Sequence, residues 1–175
     1  GKSSLIQRII DRGELAYSTD KPVVAIRESR TTGANKQLFY STERLHHYYE
    51  VVKPLLDKGC IVLQDRGVVS SYVYEEPRED FLVAHRHTPT EDMCLILLIR
   101  PIVAFNRLIE RDGDLQNRSY VSLVEAATRF SEFSYQGGTG DVLPSVVRSV
   151  TPTDLDLMAL DAENIIREHL AKVDD

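Results

Sequence analysis

The sequence predicts an α/β fold with a parallel sheet. Three observations carry that prediction. Apolar runs of strand length, at 22–26, 60–63 and 94–99, and a short strand-like stretch at 146–150, alternate with stretches of helical period. The longest run, Cys94-Leu95-Ile96-Leu97-Leu98-Ile99, is apolar at every position, which suits a strand covered on both faces. The chain also opens on Gly1-Lys2-Ser3-Ser4, the tail of the phosphate-loop pattern G-x-x-x-x-G-K-[ST], and runs straight into apolar-periodic residues.

In such a loop, backbone N–H groups cradle phosphates, the Lys reaches the β- and γ-phosphates, and the hydroxyl goes to Mg²⁺. The following helix N-terminus adds free N–H groups and a favourable dipole. Gly1, Lys2, Ser3 and Ser4 are therefore candidate ATP-binding residues, with Ser3 also a metal ligand. The pattern is only half present. The strand and first glycine that normally precede it are expected to be missing from the sequence as it stands.

The elements follow in order. Lys2 to about Asp11 reads as a helix that ends at Arg12-Gly13, where a glycine suits a left-handed cap. Pro22-Val23-Val24-Ala25-Ile26 reads as a buried strand and empties into the polar loop Arg27-Glu28-Ser29-Arg30-Thr31-Thr32-Gly33. Open α/β sheets bind ligands at the carboxyl ends of their strands, so this loop is a candidate site. From about Ala34 to Lys58, Leu38, Leu45, Tyr48, Tyr49, Val52, Leu55 and Leu56 recur at helical steps, with Pro54 expected to kink the helix or start a new turn. Cys60-Ile61-Val62-Leu63 is the next strand, ending in Gln64-Asp65-Arg66-Gly67, a charged pair aimed at the site. A helix is expected over Val68–Tyr74. Residues 75–92 read as charged and irregular, with His85 and His87 as surface residues and not metal ligands.

After the run at 94–99, Arg100-Pro101 opens a helix with proline in its first turn. Arg107, Arg111 and Arg118 bracket the acidic turn Asp112-Gly113-Asp114, a pattern that suits a mobile lid near 107–120. Tyr120 to about Tyr135 reads as a helix, Gly137–Gly140 as a plain loop, Val146–Val150 as a last strand, and Thr153 as the cap of a terminal helix.

Composition narrows the class. At 175 residues, with 42% hydrophobic and 27% charged content, the chain is expected to form one soluble domain over 1–175. A net charge of −6 argues against a general nucleic-acid surface. No run approaches the ~20 apolar residues of a membrane span. Cys60 and Cys94 read as buried reduced thiols, which fits a cytoplasmic protein.

Phe39-Tyr40-Ser41-Thr42-Glu43-Arg44, then Lys53-Pro54 and Gly59, then Asp65-Arg66, Ser70 and Tyr74 form an ordered block. In order and spacing this block resembles the thymidylate kinases, of the P-loop nucleoside monophosphate kinase group. The resemblance runs from Gly1 to about Tyr135. It implies a P-loop NTPase three-layer fold, a parallel sheet flanked by helices, and phosphoryl transfer from ATP to a deoxynucleoside monophosphate. The implied reaction is dTMP to dTDP with Mg²⁺ as cofactor. By the same resemblance, Lys2 and Ser3 serve the ATP phosphates and Mg²⁺, and Arg44 and Arg66 grip the acceptor phosphate. Arg27 supports that phosphate, Tyr40 stacks on the base, and Ser70 and Tyr74 line the acceptor pocket. Glu28 and Asp65 orient the cations or the Mg²⁺ shell. Arg107, Arg111 and Arg118 stabilise the transferring phosphoryl group. Members of the family often form homodimers; neither polymeric nucleic acid nor membrane is an expected partner.

The sequence departs from the family pattern at Gly67, where an aromatic residue or His is usual. It departs again at Ser29-Arg30-Thr31 in place of Pro-Gly-Gly, at Asn117 before Arg118, and in the short segment between Gly33 and Phe39. Two other readings stand beside the first. One is a kinase for another deoxynucleoside monophosphate or for a deoxynucleoside, and the other is a non-catalytic nucleotide-binding domain.

Overall fold

A computed structural model describes residues 2–27, 36–74, 78–113, 119–136, 143–144, 146–150 and 154–173. It holds four strands and nine α-helices among those residues. In order they are α1 (Lys2–Arg12), α2 (Glu14–Thr19), β1 (Val23–Arg27), α3 (Lys36–His47), α4 (Lys53–Leu56), β2 (Ile61–Asp65), α5 (Val68–Tyr74), α6 (Arg78–His85), β3 (Met93–Leu97), α7 (Pro101–Asp112), α8 (Tyr120–Gln136), β4 (Val146–Val150) and α9 (Leu155–Val173).

The strands pair in parallel, as their apolar runs predict. β1 lies beside β2 with Val23 opposite Ile61 and Arg27 opposite Asp65. β3 lies beside β4 with Met93 opposite Val146. Among the described residues the two pairs are separate two-stranded ladders. Helices cover them on both sides.

Strand alternation assigns side chains to those two sides. Met93, Leu95 and Leu97 of β3 and Ile61 and Leu63 of β2 pack with Leu5, Ile9, Met158, Ala162 and Ile166, which belong to α1 and α9. Cys94, Ile96 and Leu98 turn the other way, against Val69 and Val73 of α5, Phe81 of α6 and Phe133 of α8. Leu5 and Ile9 stand one helical turn apart, 5% and 3% exposed, so α1 is tied to the sheet by its own apolar stripe. Each such buried side chain contributes about 2 kcal/mol.

Three element boundaries have clear local causes. Gly13 takes φ 67° and closes α1, its N–H donating to the Ile10 carbonyl at 3.0 Å. The long helical stretch after residue 35 is interrupted by a π-helical turn, Tyr48–Val52, immediately before α4. Pro54 has no N–H to give to a carbonyl four residues back, and the wider turn sits where that bond is lost. α9 opens on Asp154, whose carboxylate accepts the Asp156 N–H at 2.8 Å.

Several expectations need correction. Residues 75–92 are not irregular throughout, because α6 occupies Arg78–His85. His85 is not a surface residue: it is fully buried, while His87 is exposed. The density of charge around α6 hides the Phe81/His85 pair, which sits at i, i+4 on its buried face. The cap of the last helix is made by Asp154, and Thr153 lies outside the described residues. The short helix α2 was not foreseen. Cys60 and Cys94 are free thiols, as expected, but half-buried. Gly137–Gly140 and residues 114–118 of the expected lid lie outside the described residues.

Candidate active site

The first turn of α1 and the end of β2 meet. Asp65 shares its strand parity with Ile61 and Leu63, so its side chain turns toward α1. There the Ser3 hydroxyl donates a hydrogen bond to Asp65 Oδ2. Asp65 is 8% exposed, and its Oδ1 is buried without a hydrogen-bond partner among the described residues. A buried carboxylate oxygen is costly to leave unmatched, which makes this position a candidate for a further partner. Lys2 is exposed at the first position of α1. Ser3 and Ser4 also line an open groove of about 600 Å³ that continues past Gln7 to Leu155 and Asp156 of α9.

The turn after β2 is the second part of the site. Arg66 takes φ 79°, a left-handed backbone that is rare for a residue with a side chain. Strain of this sort persists only where the surroundings impose it. Two groups hold the next residues. Arg44 of α3, 8% exposed, donates through Nη2 to the Gly67 carbonyl at 3.2 Å and to Ser71 Oγ at 3.0 Å. Glu91, from the segment leading into β3, accepts the first N–H of α5, that of Val68, at 2.9 Å.

Around this turn the surroundings are apolar and tight. His85 stacks on Phe81 with ring centroids 4.4 Å apart. Thr88 Oγ1 lies 3.5 Å from its Nδ1, and its Nε2 is buried without a hydrogen-bond partner among the described residues. Burial first, and the Arg44 guanidinium second, push the His85 imidazole down to about 4. Burial, reinforced by Glu91, pushes the Cys94 thiol up to about 12, so this cysteine is a packing residue and no nucleophile at neutral pH.

The candidate residues thus separate into groups. Ser3, Asp65, Arg66 and Arg44 gather at the α1/β2/α3 junction. Ser70 is half-buried and donates its backbone N–H to the Gly67 carbonyl at 3.0 Å; its neighbour Ser71 is the serine that meets Arg44. Tyr74 is 58% exposed at the end of α5 and packs edge-on against Phe130 of α8. Arg107 and Arg111 are exposed, one turn apart on α7. Gly1, Glu28 and Arg118, and the side chains of Arg27 and Tyr40, lie outside the described residues. Sequence reasoning missed Ser71, His85 and Glu91. The one available signal was Gly67, since a glycine in place of a bulky residue leaves space for another side chain.

Comparison with known proteins now adds to this geometry. The thymidylate kinase family matches residues 21–133, more than half of the chain. The chain belongs to the thymidylate kinase family. The family is a P-loop NTPase group, in agreement with the parallel strands and flanking helices. The matched region contains Arg44, Asp65, Arg66, Gly67 and Glu91; Ser3 lies before it. A probable thymidylate kinase of Pyrobaculum aerophilum is 26% identical over 127 residues, 65% of this chain and 66% of that protein. One of Methanocorpusculum labreanum is 26% identical over 152 residues, 75% of this chain and 77% of that protein. A thymidylate kinase of Clavibacter michiganensis is 38% identical over 55 residues, 31% of this chain and 26% of that protein. Matches to these relatives thus span from about a quarter to about three-quarters of their length. Among the described residues, no helix is long and apolar enough to cross a membrane.

Proposed function

We propose that this chain transfers the γ-phosphoryl group of ATP to a deoxynucleoside monophosphate, dTMP, giving dTDP and ADP. The observation that carries the reading is the meeting of Ser3 with Asp65 beside the strained Arg66 turn, in a chain of this family. A phosphate-loop hydroxyl, a strand-end carboxylate with a spare oxygen and two acceptor-side arginines are the parts that phosphoryl transfer requires.

Ser3 Oγ and Asp65 fit a Mg²⁺ shell. Mg²⁺ in such sites takes one or two protein oxygens, with phosphate oxygens and waters completing the shell. When bound, the ion neutralises charge on the β- and γ-phosphates. Lys2 at the start of α1 adds a cation and the helix its N–H groups.

Arg66 and Arg44 belong to the acceptor. A guanidinium fork pairs with phosphate oxygens bidentately. Their task is to hold the monophosphate so that one of its oxygens is in line with the γ-phosphorus. That oxygen forms the new P–O bond while the bond to the β-phosphate oxygen breaks, and ADP leaves with the electron pair. The second pKa of a phosphate monoester is about 6, so the attacking oxygen is already unprotonated and no side chain need act as base. Catalysis is then positioning and charge neutralisation. By the family resemblance, Arg107 and Arg111 of α7 would belong to a short lid near 107–120 that brings cations onto the transferring group, within a single domain.

The test is ADP release from ATP and Mg²⁺, with dTMP, dUMP, dGMP, dCMP and thymidine each as acceptor. Turnover confined to dTMP is expected. Turnover on another monophosphate would move the substrate and keep the mechanism. ATP binding without turnover on any acceptor would leave a nucleotide-binding domain.

A further inference from the structure

We infer that Glu91 is a positioning residue for the acceptor-side turn, and that Gly67 is small so that the Glu91 carboxylate can take the place of a side chain there. The inference deepens the proposed function, since the turn it concerns carries Arg66. Nothing in the sequence motif points to Glu91. It comes from the space around Gly67.

A Cβ built on Gly67 would lie 2.0 Å from Glu91 Oε1 and 2.8 Å from its Cδ. No real Cβ comes so close to another atom. A side chain at position 67 and the carboxylate of Glu91 therefore exclude one another. The glycine serves close approach here and not backbone freedom, because the positive φ of this turn belongs to Arg66. Glu91 uses the space to accept the Val68 N–H at 2.9 Å, matching a donor that the first turn of α5 leaves without a helical partner. From the α3 side, Arg44 holds the Gly67 carbonyl at 3.2 Å. The residue after Arg66 is thus pinned at its carbonyl, and the next at its N–H. These bonds keep Arg66 in its left-handed conformation and so fix the direction in which its guanidinium leaves the chain.

The same contact gives a physical account of the departure noted at Gly67. Where the family pattern has an aromatic residue or His after Asp-Arg, this chain has no side chain, and a carboxylate from a distant segment fills the gap. The carboxylate is the far end of a flexible side chain, so Gly67→Ala does not abolish folding. It displaces Glu91 and breaks the bond to Val68.

The experiment is a double-mutant cycle on the full-length protein: Gly67→Ala, Glu91→Ala and both together, with Glu91→Gln as the conservative variant. Urea unfolding without nucleotide reads the contact, and KM for dTMP against KM for ATP reads the positioning. Gly67→Ala and Glu91→Ala are each expected to raise KM for dTMP roughly fivefold, as loss of a helix cap would, with KM for ATP unchanged. The double variant should be no worse than either single one. Glu91→Gln keeps an acceptor oxygen and should restore KM to near the wild-type value. Additive losses in stability and KM would overturn the coupling. A Glu91→Ala variant that loses stability but keeps the wild-type KM for dTMP would reduce Glu91 to a structural cap. Wild-type protein that turns over no monophosphate would overturn the functional reading instead, while the coupling in unfolding would still stand or fall by itself.

Discussion

Two carboxylates in this protein are buried in contact with α1, and their neighbours differ. Glu163 of α9 is fully enclosed, and two arginines meet it. Arg12 Nε lies 3.1 Å from Oε1, and Arg167 Nη2 lies 3.8 Å from Oε2, an ion pair without a hydrogen bond among the described residues. Asp65 at the end of β2 is 8% exposed and is met by the Ser3 hydroxyl, with Oδ1 unmatched among the described residues. The first carboxylate has its charge answered by the protein. The second is met by a hydroxyl, and no cation among the described residues is paired with it. The contrast teaches how to tell a structural ion pair from a binding site when both are buried. What matters is whether the protein's own cations complete the site.

The contrast can be broken most sharply at the strained turn beside Asp65. Arg66→Gly removes the guanidinium proposed to hold the acceptor and gives the left-handed position to the residue that adopts it at least cost. The kcat/KM for the monophosphate is expected to fall at least about 100-fold. The protein should meanwhile become more stable by about 1 kcal/mol in urea unfolding. Wild-type-like turnover would take Arg66 out of the acceptor site.

Glu163→Ala should do the reverse. It leaves Arg12 and Arg167, with side chains 25% and 29% exposed, without their shared partner. Breaking a buried pair from one side costs roughly 3 kcal/mol. Urea unfolding measures the loss, and kcat/KM of the folded fraction should barely change. A large fall in kcat/KM with stability unchanged would place Glu163 with Asp65 and erase the distinction.

A smaller effect sharpens the acceptor side. His85 has its folded pKa lowered to about 4 from an ordinary 6.5. Between those values the unfolded chain binds a proton that the folded chain refuses. The stabilisation from a neutral, buried His85 is therefore complete above pH 6.5 and is lost as pH falls toward 4. The loss is on the order of 2 kcal/mol. Many carboxylates also titrate in that range, so the measurement is the difference in stability between pH 7.5 and 4.5 for the wild type compared with His85→Leu. The variant should lose less on acidification. Equal losses would mean that His85 takes up its proton without leaving its pocket.

What could be read in advance followed the strength of local signals. Ser3 and Asp65 could be singled out in advance because a hydroxyl in a G-K-S-S start and a carboxylate at a strand end are each marked by local sequence. The parity of β2 then brings the two together. The strands were legible because unbroken apolar runs such as 94–99 have few alternatives. The motif names Ser70 but does not say which face of a short helix meets Arg44; the packing of α3 brings Ser71 there. His85 was misread because its neighbours in sequence are charged, whereas its neighbours in space are Phe81 and Arg44. For Glu91 the sequence holds only the indirect signal of Gly67, because its contact depends on the absence of a side chain 24 positions earlier.

The packing of α1 on α9 has a consequence for the order in which the molecule is made. The helix that carries Lys2 and Ser3 buries Leu5 and Ile9 against Met158, Ala162 and Ile166. Its last turn is held through Arg12 to Glu163, a contact spanning 151 residues. During synthesis, the apolar face of α1 is made well before α9 and must wait for it. Contacts of such long sequence separation form late and slow folding. Until then the nascent chain carries an uncovered apolar stripe, which a chaperone would be expected to hold. The meeting of Ser3 with Asp65, by this logic, becomes secure only once α9 has been made.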